Sequence, residues 1–165
     1  MPEKETLEKA SEDARKGKSA STQAGEFVRE EMHHVREGEH GARSTKQAIA
    51  IGLSKARRAG VKLAPPGKGK ASARAREQAQ RDTSKGRDSA RKKPSPTRSR
   101  ATHKALEREG HQAASPDALA RQARRSARDR GPIARRQAAA KAVRTKGPKG
   151  LKSAARKAAR TRAAG

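Results

Sequence analysis

The chain has 165 residues, with 43 Lys/Arg against 17 Asp/Glu, a formal net charge of +26, no cysteine, one Phe and no Tyr or Trp. Leu, Ile, Val and Phe together number fourteen, short of the roughly 20 % that marks a chain able to build a core, so most of it is expected to be intrinsically disordered for want of buried area to offset conformational entropy. Missing cysteine excludes a disulfide framework and any Cys-ligated zinc, iron–sulfur or thiol-nucleophile site, and no run of ~18 apolar residues is available to span a membrane.

Charge is split along the chain. Residues 1–41 carry ten acids against seven Lys/Arg, whereas residues 42–165 carry thirty-six Lys/Arg against seven acids, a formal +29. Self-repulsion of that size calls for an external polyanion, and nucleic acid is the commonest one, releasing condensed counterions as Lys and Arg replace them.

Taken in chain order, residues 1–21 form an acidic, charged lead-in around a lone Leu7 and read as a frayed helix or a disordered segment. Met1 to Glu12 lacks an apolar run, so neither a secretory signal nor a transit peptide is expected there, and the location expected is cytoplasmic, with the nucleoid. Residues 22–63 alone show amphipathic periodicity. Ala24, Phe27, Val28, Met32 and Val35 share one helical face, interrupted by Glu31, with Ser21 or Thr22 as N-cap and Gly38 and Gly41 as stops. Ser44 and Gln47 have capping-box spacing for a second helix, which Gly60 would end with Val61 placed for the accompanying apolar contact. Ala48, Ile49, Gly52, Leu53, Ala56 and Ala59 share its apolar arc, and Lys46, Arg57 and Arg58 lie outside it. A small helical hairpin or helix-turn-helix-like unit follows.

Residues 64–100 open on Pro65, Pro66 and Gly67 and close near Pro94 and Pro96, and read as a basic Pro/Gly/Ser linker in which Ala71 to Arg81 could form a transient helix but has no large apolar residue to anchor it. Residues 101–165 are Ala/Arg/Lys-rich, with stops at Gly110, Gly131 and Gly147 and restarts at Ser115-Pro116, Pro132 and Pro148, which predicts three or four short helices. Lys141-Ala-Val-Arg144-Thr-Lys146 is echoed sixteen residues later by Lys157-Ala-Ala-Arg160-Thr-Arg162, a repetition that multiplies one weak contact.

The chemistry expected of these segments is phosphate binding. Arg43, Lys46, Arg57 and Arg58 of the hairpin, Arg98 and Arg100 of the linker, Arg121, Arg124, Arg125 and Arg128 after Pro116, and Lys141, Arg144, Lys146, Lys157, Arg160 and Arg162 of the repeats are the candidate contacts. The Arg-rich helix after Pro116 repels itself and is expected to fold on binding. Scarcity of aromatics argues against single-strand and sequence-specific RNA modules, which stack bases, and favours duplex phosphates with little sequence preference. Pro94-Ser-Pro96-Thr-Arg98 and Arg100 resemble the Ser-Pro-basic turns of linker-histone tails, which set arginine into a narrow minor groove. His33, His34 and His40 invite a metal reading, and Glu30/His34 and His33/Glu37 have i, i+4 spacing compatible with zinc, but a second ligand set is missing, so neither a metal nor a cofactor is expected. Without a P-loop, a Gly-rich turn after a strand or paired carboxylates in an apolar setting, the chain reads as non-enzymatic.

Arg43-Ser-Thr-Lys-Gln-Ala-Ile-Ala-Ile-Gly-Leu-Ser54, continuing through Ala56 to Gly60, resembles a bacterial family of small basic proteins with a domain of unknown function, often labelled DNA-binding. Gly25-Glu-Phe-Val-Arg-Glu-Glu-Met32 is similar to that family's first helix, so the resemblance covers about residues 22–63. The tail is similar in character to bacterial linker-histone-like proteins.

The expected architecture is therefore mostly α with extensive disorder and no sheet: a small N-terminal hairpin, a basic linker and several short Ala/Arg/Lys-rich helices. The expected function is sequence-nonspecific binding and compaction of duplex DNA, with no membrane partner and with self-association through residues 22–63 left open. Two alternatives stand beside it. One is an RNA- or ribosome-associated basic protein; the other is a protein–protein adaptor whose hairpin self-associates or captures a partner while the tail localises it.

Overall fold

A computed structural model describes residues 2–87 and 95–163. Its helices are α1 (Lys4–Arg15), α2 (Ala20–Glu37), α3 (Thr45–Arg58), α4 (Ala73–Arg87), α5 (Pro96–Glu107), a 3-10 turn (Gln112–Ala114), α6 (Pro116–Asp129) and α7 (Gly131–Ala163). Among the described residues no strand is present. The chain divides into two compact units, Met1–Ala120 and Arg121–Gly165.

The expected extensive disorder is overturned, because helices and their connections account for most of the described chain. In the first unit, counting large apolar side chains undervalues a core made of small ones. Ala10, Ala24, Ala42, Ala48, Ala56, Ala79, Ala113 and Ala114 are all buried, and among the described residues only Phe27 and Val35 are large apolar side chains with no exposure at all. Burying those two stabilises by about 1.5–3 kcal/mol each. Small residues let helix backbones approach closely, so dispersion contacts come from main chain as well as from side chains. Gly52 makes this explicit: a Cβ there would lie 2.8 Å from Val28 Cα and 3.0 Å from the Phe27 carbonyl oxygen.

The lead-in is also ordered. α1 docks on α2 through buried Thr6 and Ala10, while Leu7, the residue that looked unpartnered, stays 41 % exposed. Glu5–Lys9 and Glu12–Lys16 pairs run along its outer face and hold both glutamates below the usual carboxylate range. α2 begins earlier than a cap at Ser21 or Thr22 would allow, because Ser19 is the N-cap and its Oγ accepts from Thr22 N at 3.3 Å. The helix ends at Gly38 as expected from sequence, with φ of +83°. Ser44 caps α3, its Oγ accepting from Gln47 N at 3.3 Å, and the Gln47 side chain reaches back to Arg43 N at 2.9 Å.

The core lies along the α2–α3 contact in two clusters. Ala10, Ala24, Phe27 and Ala56 form one, covered by Leu53, Ala59, Val61 and Leu63 as the chain turns back after Gly60. Met32, Val35, Ala42, Ala48, Ala113 and Ala114 form the other, with Val28, Ile49 and Leu119 against it. Residues 113, 114 and 119, expected in the tail, are thus part of the first unit's core. They are held there by Thr45 Oγ1 donating to Ala113 O (2.6 Å) and Arg36 Nε donating to Ala114 O (2.9 Å). The chain end of α5 pairs with the α2–α3 loop, Gly41 N to Leu106 O at 2.9 Å and Ala42 N to Gly110 O at 3.1 Å. Gly41 is required there, since a Cβ would lie 1.8 Å from Glu109 O.

Within the stretch expected as linker, α4 packs on α3 without any large apolar anchor. Its anchors are Ala79 and the buried Asp82, whose carboxylate accepts from Ser54 Oγ (2.6 Å), Arg58 Nε (2.7 Å) and Gln78 Nε2 (3.0 Å). Polar contacts thus do what apolar area was expected to do.

The second unit continues α6 and holds α7, and neither helix buries a residue fully. Their helicity is a matter of composition: Ala, Arg and Lys are among the strongest helix formers. The disorder expected of this region is corrected, since α6 and α7 make it helical along its described length. The predicted restarts at Pro116 and Pro132 coincide with the starts of α6 and α7, and Gly147 (φ +62°, ψ 176°) with Pro148 breaks the path of α7.

Candidate nucleic-acid interface

Four candidate cations lie on α3 and the turn before it, and they are not equivalent. Lys46 is exposed, and Arg43 is 80 % exposed with Nε 3.5 Å from Glu109 Oε1. Arg58, half exposed, is engaged by Asp82. Arg57 departs from the sequence reading: it is 7 % exposed, lies against the segment after Gly60, and reaches Leu53 O and Ala64 O only at 3.5 Å. Burial lowers its pKa, with the Asp82 charge opposing. An arc drawn on α3 alone could not anticipate that residues 61–64 would cover position 57.

Arg98 and Arg100 are exposed on α5. Pro94 lies outside the described residues, and Pro96 is the first residue of α5, so these arginines stand on a helix rather than in an extended turn.

In the second unit the picture is uniform. Arg121, Arg124, Arg125 and Arg128 are exposed on α6, and Lys141, Arg144, Lys146, Lys157, Arg160 and Arg162 are exposed on α7. The sixteen-residue repeat has a shared geometry, since Thr145 Oγ1 donates to Lys141 O at 2.9 Å and Thr161 Oγ1 to Lys157 O at 3.0 Å. Both threonines therefore turn their hydroxyls to the helix and leave the flanking cations free of them. Arg135, Arg136, Lys149, Lys152 and Arg156 are equally exposed on α7 and belong with the candidates; composition alone would have included them. α7 holds eleven Lys/Arg and no acid, and among the described residues none of its cations takes part in an ion pair.

Spacing did not announce the first unit's buried ion network. Lys55 Nζ lies 3.2 Å from Glu30 Oε1 and 2.7 Å from Glu31 Oε2. Burial pushes the Glu30 carboxyl up, but hydrogen bonds from Thr6 and Lys55, and the Lys55 charge, outweigh that and hold it below the usual range. Burial likewise depresses Lys55, and the two carboxylates more than reverse it.

No helix among the described residues is long and apolar enough to cross a membrane. No curated protein and no solved structure matches the chain. Residues 15–68, from the end of α1 through α3 and the segment beyond it, match the model of DUF6496, a family of unknown function.

Proposed function

We propose that the protein is a non-enzymatic, sequence-nonspecific duplex-DNA-binding and compacting protein that acts at the nucleoid through Lys/Arg–phosphate contacts, with the second unit as its principal contact region. The observation that carries this reading is α7: thirty-three residues with eleven exposed Lys/Arg, no acid and no ion pair among the described residues. Two helical stretches, broken at Gly147, that repel themselves so strongly gain most from a dense row of phosphates, where each cation releases a condensed counterion. Neither α6 nor α7 carries an aromatic side chain on which an unpaired base could stack, which favours duplex over single strands. The exposed cations are spread around the helices on flexible stems, a pattern suited to backbone contact rather than base reading. Lys46 and Arg43 on the first unit supply a weaker, separate contact.

Duplex binding by the full chain, followed by fluorescence anisotropy at several salt concentrations, tests the reading. If on the order of ten phosphates are neutralised, log affinity falls against log salt with a slope of about −9. Replacing Arg144, Lys146, Lys157 and Arg160 by Gln should bring the slope closer to zero by about 0.9 for each phosphate left without its cation. Affinity that hardly responds to salt would sink the electrostatic mechanism. Structured RNA winning in competition at equal salt would move the assignment to RNA.

A further inference from the structure

The first unit contains a pocket of negative charge inside a strongly basic chain. Glu30 and Glu31 are buried neighbours on α2 and share Lys55. Lys55 contacts Oε2 of Glu31, while Oε1 faces His40 Nε2 at 3.2 Å. Glu31 is 0 % exposed, and neither of its oxygens receives a well-aligned hydrogen bond. His34, 7 % exposed, lies beside them, its ring meeting that of His40 edge-on with centroids 6.0 Å apart. Two further carboxylates flank His34: Glu3 Oε1 is 2.9 Å from Nε2, and Glu39 Oε2 is 3.6 Å from Nδ1. Two buried carboxylates, Glu30 and Glu31, therefore share one lysine, while Glu3 and Glu39 are each 54 % exposed.

We propose that Glu31, His34 and His40 form a zinc site. One donor atom from each already lies within 4.8 Å of the others, and two imidazoles with one carboxylate make a donor set suited to zinc rather than to magnesium, which prefers all-oxygen coordination. Oε1 of Glu31 is the ligand oxygen, and Oε2 remains with Lys55. One ring nitrogen of His34 binds the metal while Glu3 or Glu39 accepts from the other, the arrangement that fixes the tautomer of a ligating histidine. Glu31 and His34 stand three residues apart on α2, and His40 comes from the α2–α3 loop between Gly38 and Gly41. Closing the three donors to bonding distance thus asks for a small movement of a loop, not of a helix. Metal here would tie the α2–α3 loop to the last turns of α2. Solvent supplies the fourth ligand.

His33 is the internal control: it is on the same helix, 64 % exposed, and its Nδ1 pairs with Glu37 Oε2 at 3.0 Å, away from the three donors. The test is calorimetric titration of zinc ion into the full chain, freed of nucleic acid and of metal by chelator. One zinc per chain is expected, with affinity unmoved by His33→Gln and reduced about tenfold or more by His34→Gln or His40→Gln. Should those variants fail to fold, the wild-type chain still decides. On adding zinc, the imidazole proton resonances of His34 and His40 should shift while those of His33, His103 and His111 do not. Absence of zinc uptake, equal weakening by His33→Gln, or equal competition from magnesium would overturn the site.

Discussion

The two units are made from the same charged residues and use them in opposite ways. In residues 1–120 the charges that matter to the fold are buried carboxylates with cationic partners: Glu30 and Glu31 with Lys55, Asp82 with Arg58, Asp13 with Lys18. In residues 121–163 no such pair forms among the described residues, and the cations stand exposed on helices that bury nothing fully. Charge acts as a packing element where acids are interleaved with bases, and as a contact surface where acids are missing. The net charge of the whole chain conceals both roles.

Breaking the pairing should therefore harm one unit and leave the other indifferent. The largest effect is expected from Lys55→Met, which strands two buried carboxylates and should cost about 3–5 kcal/mol of stability. Lys141→Met, on exposed α7, should stay within about 0.5 kcal/mol. Urea titrations of the two variants side by side make the comparison, and equal losses would show that burial does not separate the units. Gly52→Val comes next. Its side chain would press on the backbone of Val28 and Phe27, and overpacking of this kind costs about 1–3 kcal/mol. A midpoint close to wild type would mean that α2 and α3 are not held at glycine distance. The smallest effect is expected at Gly25, inside α2 with open space around its Cβ position. Gly25→Ala should stabilise by about 0.5–1 kcal/mol through helix propensity, a gain visible as a modest rise in melting temperature.

The apolar face of α2, the Ser44 cap, the stops at Gly38 and Gly60 and the restarts at Pro116 and Pro132 are legible in the sequence because they are local signals, carried by residues a few positions apart. The exposed cations of α6 and α7 are legible for a related reason: with no acid in α7 and only small or isolated apolar residues to bury, no packing arrangement hides them. What failed was the inference from few large apolar residues to disorder. Thr6 and Ala10 look too small to dock a helix, and Ala79 and Asp82 look unfit to anchor one, yet α1 and α4 pack on those residues because Ala10 joins Ala24, Phe27 and Ala56, Thr6 hydrogen-bonds Glu30, and Asp82 meets an arginine and a serine. Nor does any local spacing show that Ala113, Ala114 and Leu119 return to the α2–α3 cluster some 65 or more positions away from Ala48.

By itself the sequence determined the helical class, the helix ends set by capping and glycine, and the concentration of unneutralised positive charge toward the C-terminus. Each follows from composition or from contacts within one or two turns. Tertiary structure alone decided which charges are used inside the molecule. Arg57 looked exposed and is buried, Glu31 looked like a flaw in an apolar face and is a buried carboxylate, and His40 meets His34 only because the α2–α3 loop folds back. Whether a charge is solvated, paired or able to hold a metal depends on what the rest of the chain places within a few ångströms of it, and no residue's own sequence neighbours carry that information.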